Sequence, residues 1–242
     1  MIIKSISIII PLYNESKRTN NLFNKIIKFI SQKKINYEII FVNDGSTDNT
    51  LEILRYYIKK IKKNNLKIIN YKKNKGKGYA IKKGVLASKE KWILTLDADL
   101  SVSLNQFLYW NKKYKLKTNK VYFGSRNLKK SKVSTKYFRK LFGTVLQLIL
   151  KNILHINLSD TQCGFKLYNK KYAFKIFKKL NIYDFSHDIE LIYLLKKYHI
   201  DIVELPISWV YKSGSKVNLL CDSYKFIFSI FNYYYPKYKY LN

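Results

Sequence analysis

Acids, cysteines, prolines and long apolar runs are all scarce in this chain, and each scarcity closes off a class of protein. Only 15 of its 242 residues are Asp or Glu, against 47 Lys or Arg, for a formal charge of +32. Its two cysteines, Cys163 and Cys221, lie far apart with no CxxC partner. Neither a zinc cluster nor a disulfide framework is indicated, and a reducing compartment fits. The three prolines, Pro11, Pro206 and Pro236, come with no Pro/Gly/Ser-rich stretch, so there is no interdomain linker. No run of about 18–20 uncharged apolar residues occurs, which gives a membrane span no support. Met1–Ile10 is too short, and too interrupted by Lys4 and Ser5, for a signal peptide. The histidines, His155, His187 and His199, lack ligand spacing and read as structural.

An apolar content of 47% suits a folded globular chain. The length suits one domain, or one domain with an appendage. The positive charge admits two readings. One is a polyanionic partner, either an anionic membrane surface or a nucleic acid. The other is compositional drift, because Lys is abundant together with Ile, Asn, Tyr and Phe. Arginine occurs only at Arg18, Arg55, Arg126 and Arg139, and the lysines are spread rather than gathered in one arm. That distribution argues against nucleic acid.

Apolar and amphipathic segments alternate along the first half. Strands are predicted over Ile6–Leu12, Tyr37–Asn43, Leu66–Asn70, Trp92–Leu96 and Val121–Gly124. Helices are predicted over Thr19–Ser31, Asp48–Lys63, Gly78–Ala87 and Leu104–Tyr114. Such alternation implies an α/β fold with a doubly wound, mostly parallel sheet. The second half turns helical, over 135–156, 170–180, 186–198 and 217–235, with a strand near Ile202–Leu205.

The strand ends carry the chemistry. The first leads into Pro11-Leu12-Tyr13-Asn14-Glu15 and the second into Asn43-Asp44-Gly45-Ser46-Thr47-Asp48, where Ser46 or Thr47 is placed to cap a helix. The third leads to Asn74-Lys75-Gly76-Lys77-Gly78. The fourth, Trp92-Ile93-Leu94-Thr95-Leu96-Asp97-Ala98-Asp99, ends in two carboxylates around one small residue. Strand alternation puts Asp97 and Asp99 on one side, and two aligned carboxylates suit Mg²⁺ or Mn²⁺. Each cluster alone is an ordinary turn sequence. Together they bring polar groups to the edge where open α/β sheets bind ligands.

In this order the segments resemble family 2 glycosyltransferases with the GT-A fold. Gly124-Ser125-Arg126, Asp160-Thr161-Gln162-Cys163-Gly164-Phe165-Lys166-Leu167, His187-Asp188-Ile189-Glu190-Leu191 and Glu204-Leu205-Pro206-Ile207-Ser208-Trp209 resemble the branch that glycosylates polyprenyl and dolichyl phosphates. The likeness spans about residues 5–225. It implies an inverting hexosyl transfer from a nucleotide diphosphate sugar, UDP-glucose before GDP-mannose. The acceptor would be a polyprenyl phosphate at the cytoplasmic face of a membrane. It implies Asp99, with Asp97, as metal ligands. It implies that Pro11, Tyr13, Glu15 and Asp44 line the nucleotide pocket. Lys77 is a candidate contact to the nucleotide, on a turn whose glycines, Gly78 among them, permit close backbone approach. Where the family often has two acids before Gly-Ser, this chain has Asn43 and Asp44. Ser101 stands where some mannosyl relatives have a further polar ligand.

A lipid monophosphate is mostly ionised near neutral pH, so it needs cations to aim it more than a base. Arg126 and Arg139 are the candidate phosphate grips. Asp160 is a candidate base or orienter. Asp188 and Glu190 read equally as site residues and as acids complementing a helix dipole. The expected organisation is a GT-A domain over 1–216, with a nucleotide-sugar half to 125 and an acceptor half from 126. A membrane-associating tail over 217–242 follows. Residues 136–154 pair a narrow Lys-containing polar stripe with a wide apolar face, which suits an interfacial helix or a core helix. The tail mixes tyrosine with lysine, as in headgroup-level anchoring. Two alternatives remain at this point: a family 2 enzyme acting on a saccharide hydroxyl, and a basic nucleic-acid-binding protein.

Overall fold

The computed structural model describes residues 2–32, 35–134, 151–152, 156–184 and 186–212. Arg139, Cys221, His155, most of the 136–154 segment and the 217–242 tail lie outside them.

Strand β1 (Ser5–Leu12) is apolar on both faces, as a central parallel strand must be. It pairs in parallel with β2 (Asn36–Asp44) and β4 (Trp92–Thr95), and β2 pairs in parallel with β3 (Leu66–Tyr71). The second half adds β5 (Lys120–Ser125), β7 (Lys166–Asn169) and β8 (Asp201–Pro206) to the same sheet, in the order β3-β2-β1-β4-β7-β5-β8. Strand β7 runs antiparallel to both neighbours and is the sheet's exception. A two-stranded parallel ribbon, β6 (Lys132–Ser134) with β9 (Ser208–Val210), stands apart.

Helices cover both faces, which confirms the doubly wound expectation. The face carrying Ile6, Ile8 and Ile10 packs against α1 (Ser16–Ser31), α2 (Thr50–Ile61) and α4 (Asn105–Lys113) through Phe23, Leu54 and Trp110. The face carrying Ile9, Ile40 and Ile93 packs against α3 (Lys77–Ala87), α5 (Lys170–Lys179) and α6 (His187–Lys197) through Ile81, Phe177 and Ile189.

The sequence pattern misses β7 and the β6–β9 ribbon. Lys-Leu-Tyr-Asn does not look like a core strand, yet all four residues of β7 are buried. Lys166, only 2% exposed, tolerates this because Asp188 on α6 meets its ammonium at 2.5 Å. An ion-pair partner 22 residues away leaves no trace in local periodicity.

Candidate active site

The loops after β1 and β2 are stitched into one rim. Asn14, held at φ +52°, accepts the Thr47 amide on Oδ1 at 2.7 Å, while its own amide donates to Ser46 Oγ. Ser46 does not cap α2, contrary to expectation. Its hydroxyl donates to Asn43 Oδ1. Asp48 takes over that work, accepting the Thr50 amide at the start of α2 and the Ser16 amide at the start of α1. Pro11 and Glu15 are half-buried in this rim and Tyr13 is 38% exposed on it. Glu15 pairs with Arg18 at 3.4 Å.

Asp44 is 2% exposed, and its carboxylate accepts the Lys75 amide at 2.8 Å and the Gly76 amide and Asn74 Nδ2 at 3.0 Å each. The residue expected to touch the nucleotide therefore spends both oxygens fixing the β3–α3 loop. Burial and the Asp44 carboxylate together push the neighbouring Tyr71 phenol well up.

The glycines of that loop also serve a different end from the expected one. Gly76 sits at φ +97°, and a Cβ there would meet the Tyr183 carbonyl at 2.3 Å. A Cβ on Gly78 would meet His187 Cβ at 2.6 Å, and the Gly78 amide donates to the Tyr183 carbonyl at 2.8 Å. The close approach is to the 182–187 segment, which holds the first turn of α3 and hence Lys77. Gly76→Ala is expected to cost about 2 kcal/mol or more, from positive φ and the clash together, readable as a fall in the urea midpoint at unchanged slope. An unchanged midpoint would mean that the 182–187 segment does not hold α3.

Strand β4 ends at Thr95, two residues short of the first aspartate. The last ladder bond runs from the Leu96 amide to the Ile9 carbonyl. The chain then turns, with the Leu100 amide donating to the Asp97 carbonyl and Leu100 at φ +50°. The turn, and not strand alternation, places Asp97 and Asp99. Both remain half-exposed at the carboxyl edge of the sheet. Asp99 Oδ1 accepts the Ser101 amide at 2.8 Å, so Ser101 orients the aspartate through its backbone. Gly164 packs against Asp97 so closely that a Cβ would lie 2.5 and 2.6 Å from its two oxygens. Lys77 Nζ meets Asp97 Oδ1 at 2.6 Å, and the charges of Asp188 and Asp99 also act on it.

No cluster of three His, Cys, Asp or Glu able to hold a metal occurs among the described residues. Two half-exposed carboxylates on one turn still fit a Mg²⁺- or Mn²⁺-type ion, because such ions are commonly held by one or two carboxylates with substrate phosphates completing the shell.

Behind this turn lies a charged layer. Asp188 is buried, and its carboxyl is held below the ordinary value despite burial, chiefly by the Lys166 ammonium. His187 is buried with its pKa pushed down by desolvation, and its Nδ1 lies 2.7 Å from the Asp184 carbonyl. Glu190 takes the Asn181 and Ile182 amides. Asp188 thus belongs to the site, whereas Glu190 braces the segment that holds α3. Neither acts merely on the helix dipole.

On the other side, Arg126 donates to Asp160 from Nε at 2.6 Å and from Nη2 at 2.8 Å, and its amide donates to the same carboxylate. Asp160 is 5% exposed. Its carboxyl lies below the ordinary range because Arg126 outweighs desolvation. The carboxylate thus fixes the guanidinium in place and is poorly suited to take up a proton. Nη1 makes no hydrogen bond among the described residues, the guanidinium also lies 5.8 Å from the centroid of the Trp209 ring, and the side chain is 34% exposed. A forked grip on phosphate through the terminal nitrogens remains available. Glu204 on β8 fixes the arrangement from below, accepting the Ser159 amide and hydroxyl and the Asp160 amide at 2.7–2.8 Å. Cys163 nearby is no nucleophile: burial first, then Asp160, push its thiol up to about 12.

Lys166, Glu204, Ser159 and Gln162, whose buried Nε2 has no partner among the described residues, were not singled out from sequence. All but Ser159 lie in segments that carried the resemblance.

A sheet edge with a stitched β1/β2 rim, a D-x-D turn and a braced arginine defines a nucleotide-sugar transferase of GT-A type. Consistent with that class, the family model "Glycosyl transferase family 2" matches residues 7–177, and the chain belongs to that family. It is 33% identical to dolichyl-phosphate beta-glucosyltransferase of Dictyostelium discoideum, over 90% of this chain and 70% of that one. It is 30% identical to the Homo sapiens protein of the same name, over 88% and 70%. Among solved structures, glucosyl-3-phosphoglycerate synthase of Mycobacterium tuberculosis with Mn²⁺, UDP and glucosyl-3-phosphoglycerate superposes at TM-score 0.68 with 12% identity, over 93% of this chain and 77% of that one. A mannosyltransferase of Pyrobaculum calidifontis with GDP-Man and Mn²⁺ superposes at 0.59 with 14% identity, over 89% and 59%.

Proposed function

We propose that this chain transfers glucose from UDP-glucose to a polyprenyl phosphate of the dolichyl type, with inversion, at a membrane surface. The observation that carries this reading is the Arg126–Asp160 fork beside the D-x-D turn, a cation one-third exposed and braced by a buried carboxylate. The names and identities of the relatives support the same acceptor and sugar. GDP-mannose is the second donor in order.

The acceptor phosphate is already ionised, with a second pKa near 6. Arg126 holds it, and Asp160 keeps the guanidinium in place. A phosphate oxygen forms the bond to the anomeric carbon from the face opposite the nucleotide. The bond from that carbon to the diphosphate breaks, and its electron pair leaves on the diphosphate oxygen. No proton has to move, which suits a site whose Asp160 and Asp188 carboxyls are held low by Arg126 and Lys166 despite their burial. When bound, a Mg²⁺ or Mn²⁺ ion at Asp97 and Asp99 supplies Lewis-acid neutralisation of the departing diphosphate. No helix among the described residues is long and apolar enough to cross a membrane. Contact with lipid is assigned to the 136–154 and 217–242 segments on their sequence pattern alone, lysine beside apolar residues in one and lysine beside tyrosine in the other.

The test is transfer of labelled sugar from UDP-glucose and from GDP-mannose, in parallel, to polyprenyl phosphate in detergent with Mg²⁺ or Mn²⁺. Lipid-linked glucose is the expected product. Transfer only to a soluble saccharide hydroxyl, by a folded protein, would overturn the acceptor. Arg126→Lys, which keeps the charge on Asp160 but loses the fork, is expected to lower kcat/KM for the acceptor roughly thirty-fold, about 2 kcal/mol. The donor KM should stay unchanged. A donor-only effect would move Arg126 to the nucleotide side.

A further inference from the structure

Lys77 is the first residue of α3, and its ammonium lies 2.6 Å from Asp97 Oδ1. Its place is fixed from three sides. Gly76 and Gly78 dock the helix start on the 182–187 segment, and Gly164 packs against the Asp97 carboxylate. The lysine is only 23% exposed, against 41% for Asp97. The turn carries two negative charges, Asp97 and Asp99, and Lys77 already cancels one of them. Lys166 contributes nothing to this count, because it is paired with Asp188.

We infer that Lys77 is a placeholder for the divalent cation, holding Asp97 ready and giving it up only when a nucleoside diphosphate arrives to take the ammonium. This inference rests on the metal reading of Asp97 and Asp99 given above. A divalent ion alone has to displace a bound cation from Oδ1 and leave an ammonium without its partner. An ion arriving with a diphosphate meets no such penalty, because the phosphates neutralise the freed lysine. Room for the exchange exists. A cavity of about 10 Å³, enough for roughly one water, is lined by Lys77, Thr95, Gly164, Lys166, His187 and Asp188. Asp188 there is already paired with Lys166, so it does not replace Asp97 as the ammonium's partner and the diphosphate has to. Lys77 thus couples metal binding to nucleotide binding, and such coupling is reciprocal.

The test measures Mn²⁺ binding by titration calorimetry on the whole chain, with and without UDP, and needs no turnover. Lys77→Met is expected to bind Mn²⁺ alone about fivefold tighter than wild type, the scale of one partly exposed charge pair. The factor by which UDP tightens Mn²⁺ should shrink in the same variant. Lys77→Arg keeps the cation and should bind Mn²⁺ as wild type does, which separates charge from any loss of folding in Lys77→Met. Equal or weaker Mn²⁺ binding by a folded Lys77→Met overturns the placeholder while leaving the metal site standing. Absence of Mn²⁺ binding in every variant, with UDP present, overturns the metal reading itself.

Discussion

Asp99→Asn is expected to reduce transfer about 10³-fold, near 4 kcal/mol of transition-state stabilisation, in a protein that folds as before. The substitution is a narrow one. Asn keeps an oxygen for the Ser101 amide, so the turn retains its 2.8 Å bond. Asp99 is half-exposed, and no ion pair to it occurs among the described residues, so little packing is disturbed. What disappears is one of the two charges that offset the growing charge on a diphosphate leaving group. Asp97→Asn is a less clean experiment, because it also strips Lys77 of its partner. The measurement is single-turnover transfer at saturating donor, alongside the thermal midpoint. Turnover within tenfold of wild type, at an unchanged midpoint, would remove the metal assignment from this turn.

The architecture of the first half was readable because the parallel strands β1, β2 and β4 are buried on both faces and each amphipathic helix shows its period. Every strand predicted there is present within one or two residues. The site residues were readable as positions, but their partners were not. Asp44, Asp160 and Gly78 were picked out as site candidates, and each makes a contact that the sequence does not show. Sequence could not tell that Asp44 spends its carboxylate on the 74–76 loop, that Asp160 is fused to Arg126, or that Gly78 clears space for His187. These are contacts between elements 30 to 110 residues apart, and local patterns do not encode them. The D-x-D case is the most instructive. Alternation was the wrong reason for placing Asp97 and Asp99 at the sheet edge, since β4 had already ended and a turn with a left-handed Leu100 does the placing. Strand β7 escaped for a related reason. A lysine reads as solvent-facing unless its counter-ion is known, and Asp188 was read as one of two acids at a helix start.

That buried pair sets the second large expectation. Lys166 and Asp188 are 2% and 4% exposed and lie 2.5 Å apart. Removing one partner from a buried pair costs about 3–5 kcal/mol, because the other is left charged and dry, whereas replacing both by apolar groups of similar volume is often neutral. Lys166→Met is therefore expected to lower the thermal midpoint by about 10 °C, at roughly 2–4 °C per kcal/mol for a chain of this size. Lys166→Met with Asp188→Leu should recover most of that loss while remaining impaired in activity, since the Asp188 charge that acts on Lys77 is then gone. The pH dependence follows from the same layer. Asp188 has a folded pKa below the ordinary 3.8, so its contribution is complete above that value and is lost as pH falls through the lower folded one. His187 is depressed below 6.5, so its share begins to fade as pH drops beneath 6.5, before any carboxylate is touched. Stability should thus decline in two steps on acidification, first below pH 6.5 and again below about 4. In the double variant the second step should shrink, because Asp188 is gone and only Asp160, Glu38 and Asp48, whose carboxyls are also held low, sustain it. A single variant whose midpoint moves by less than about 2 °C would mean that Asp188 finds its counter-charge elsewhere, with His187, whose Nε2 lies 3.4 Å from Asp188 Oδ1, the nearest candidate.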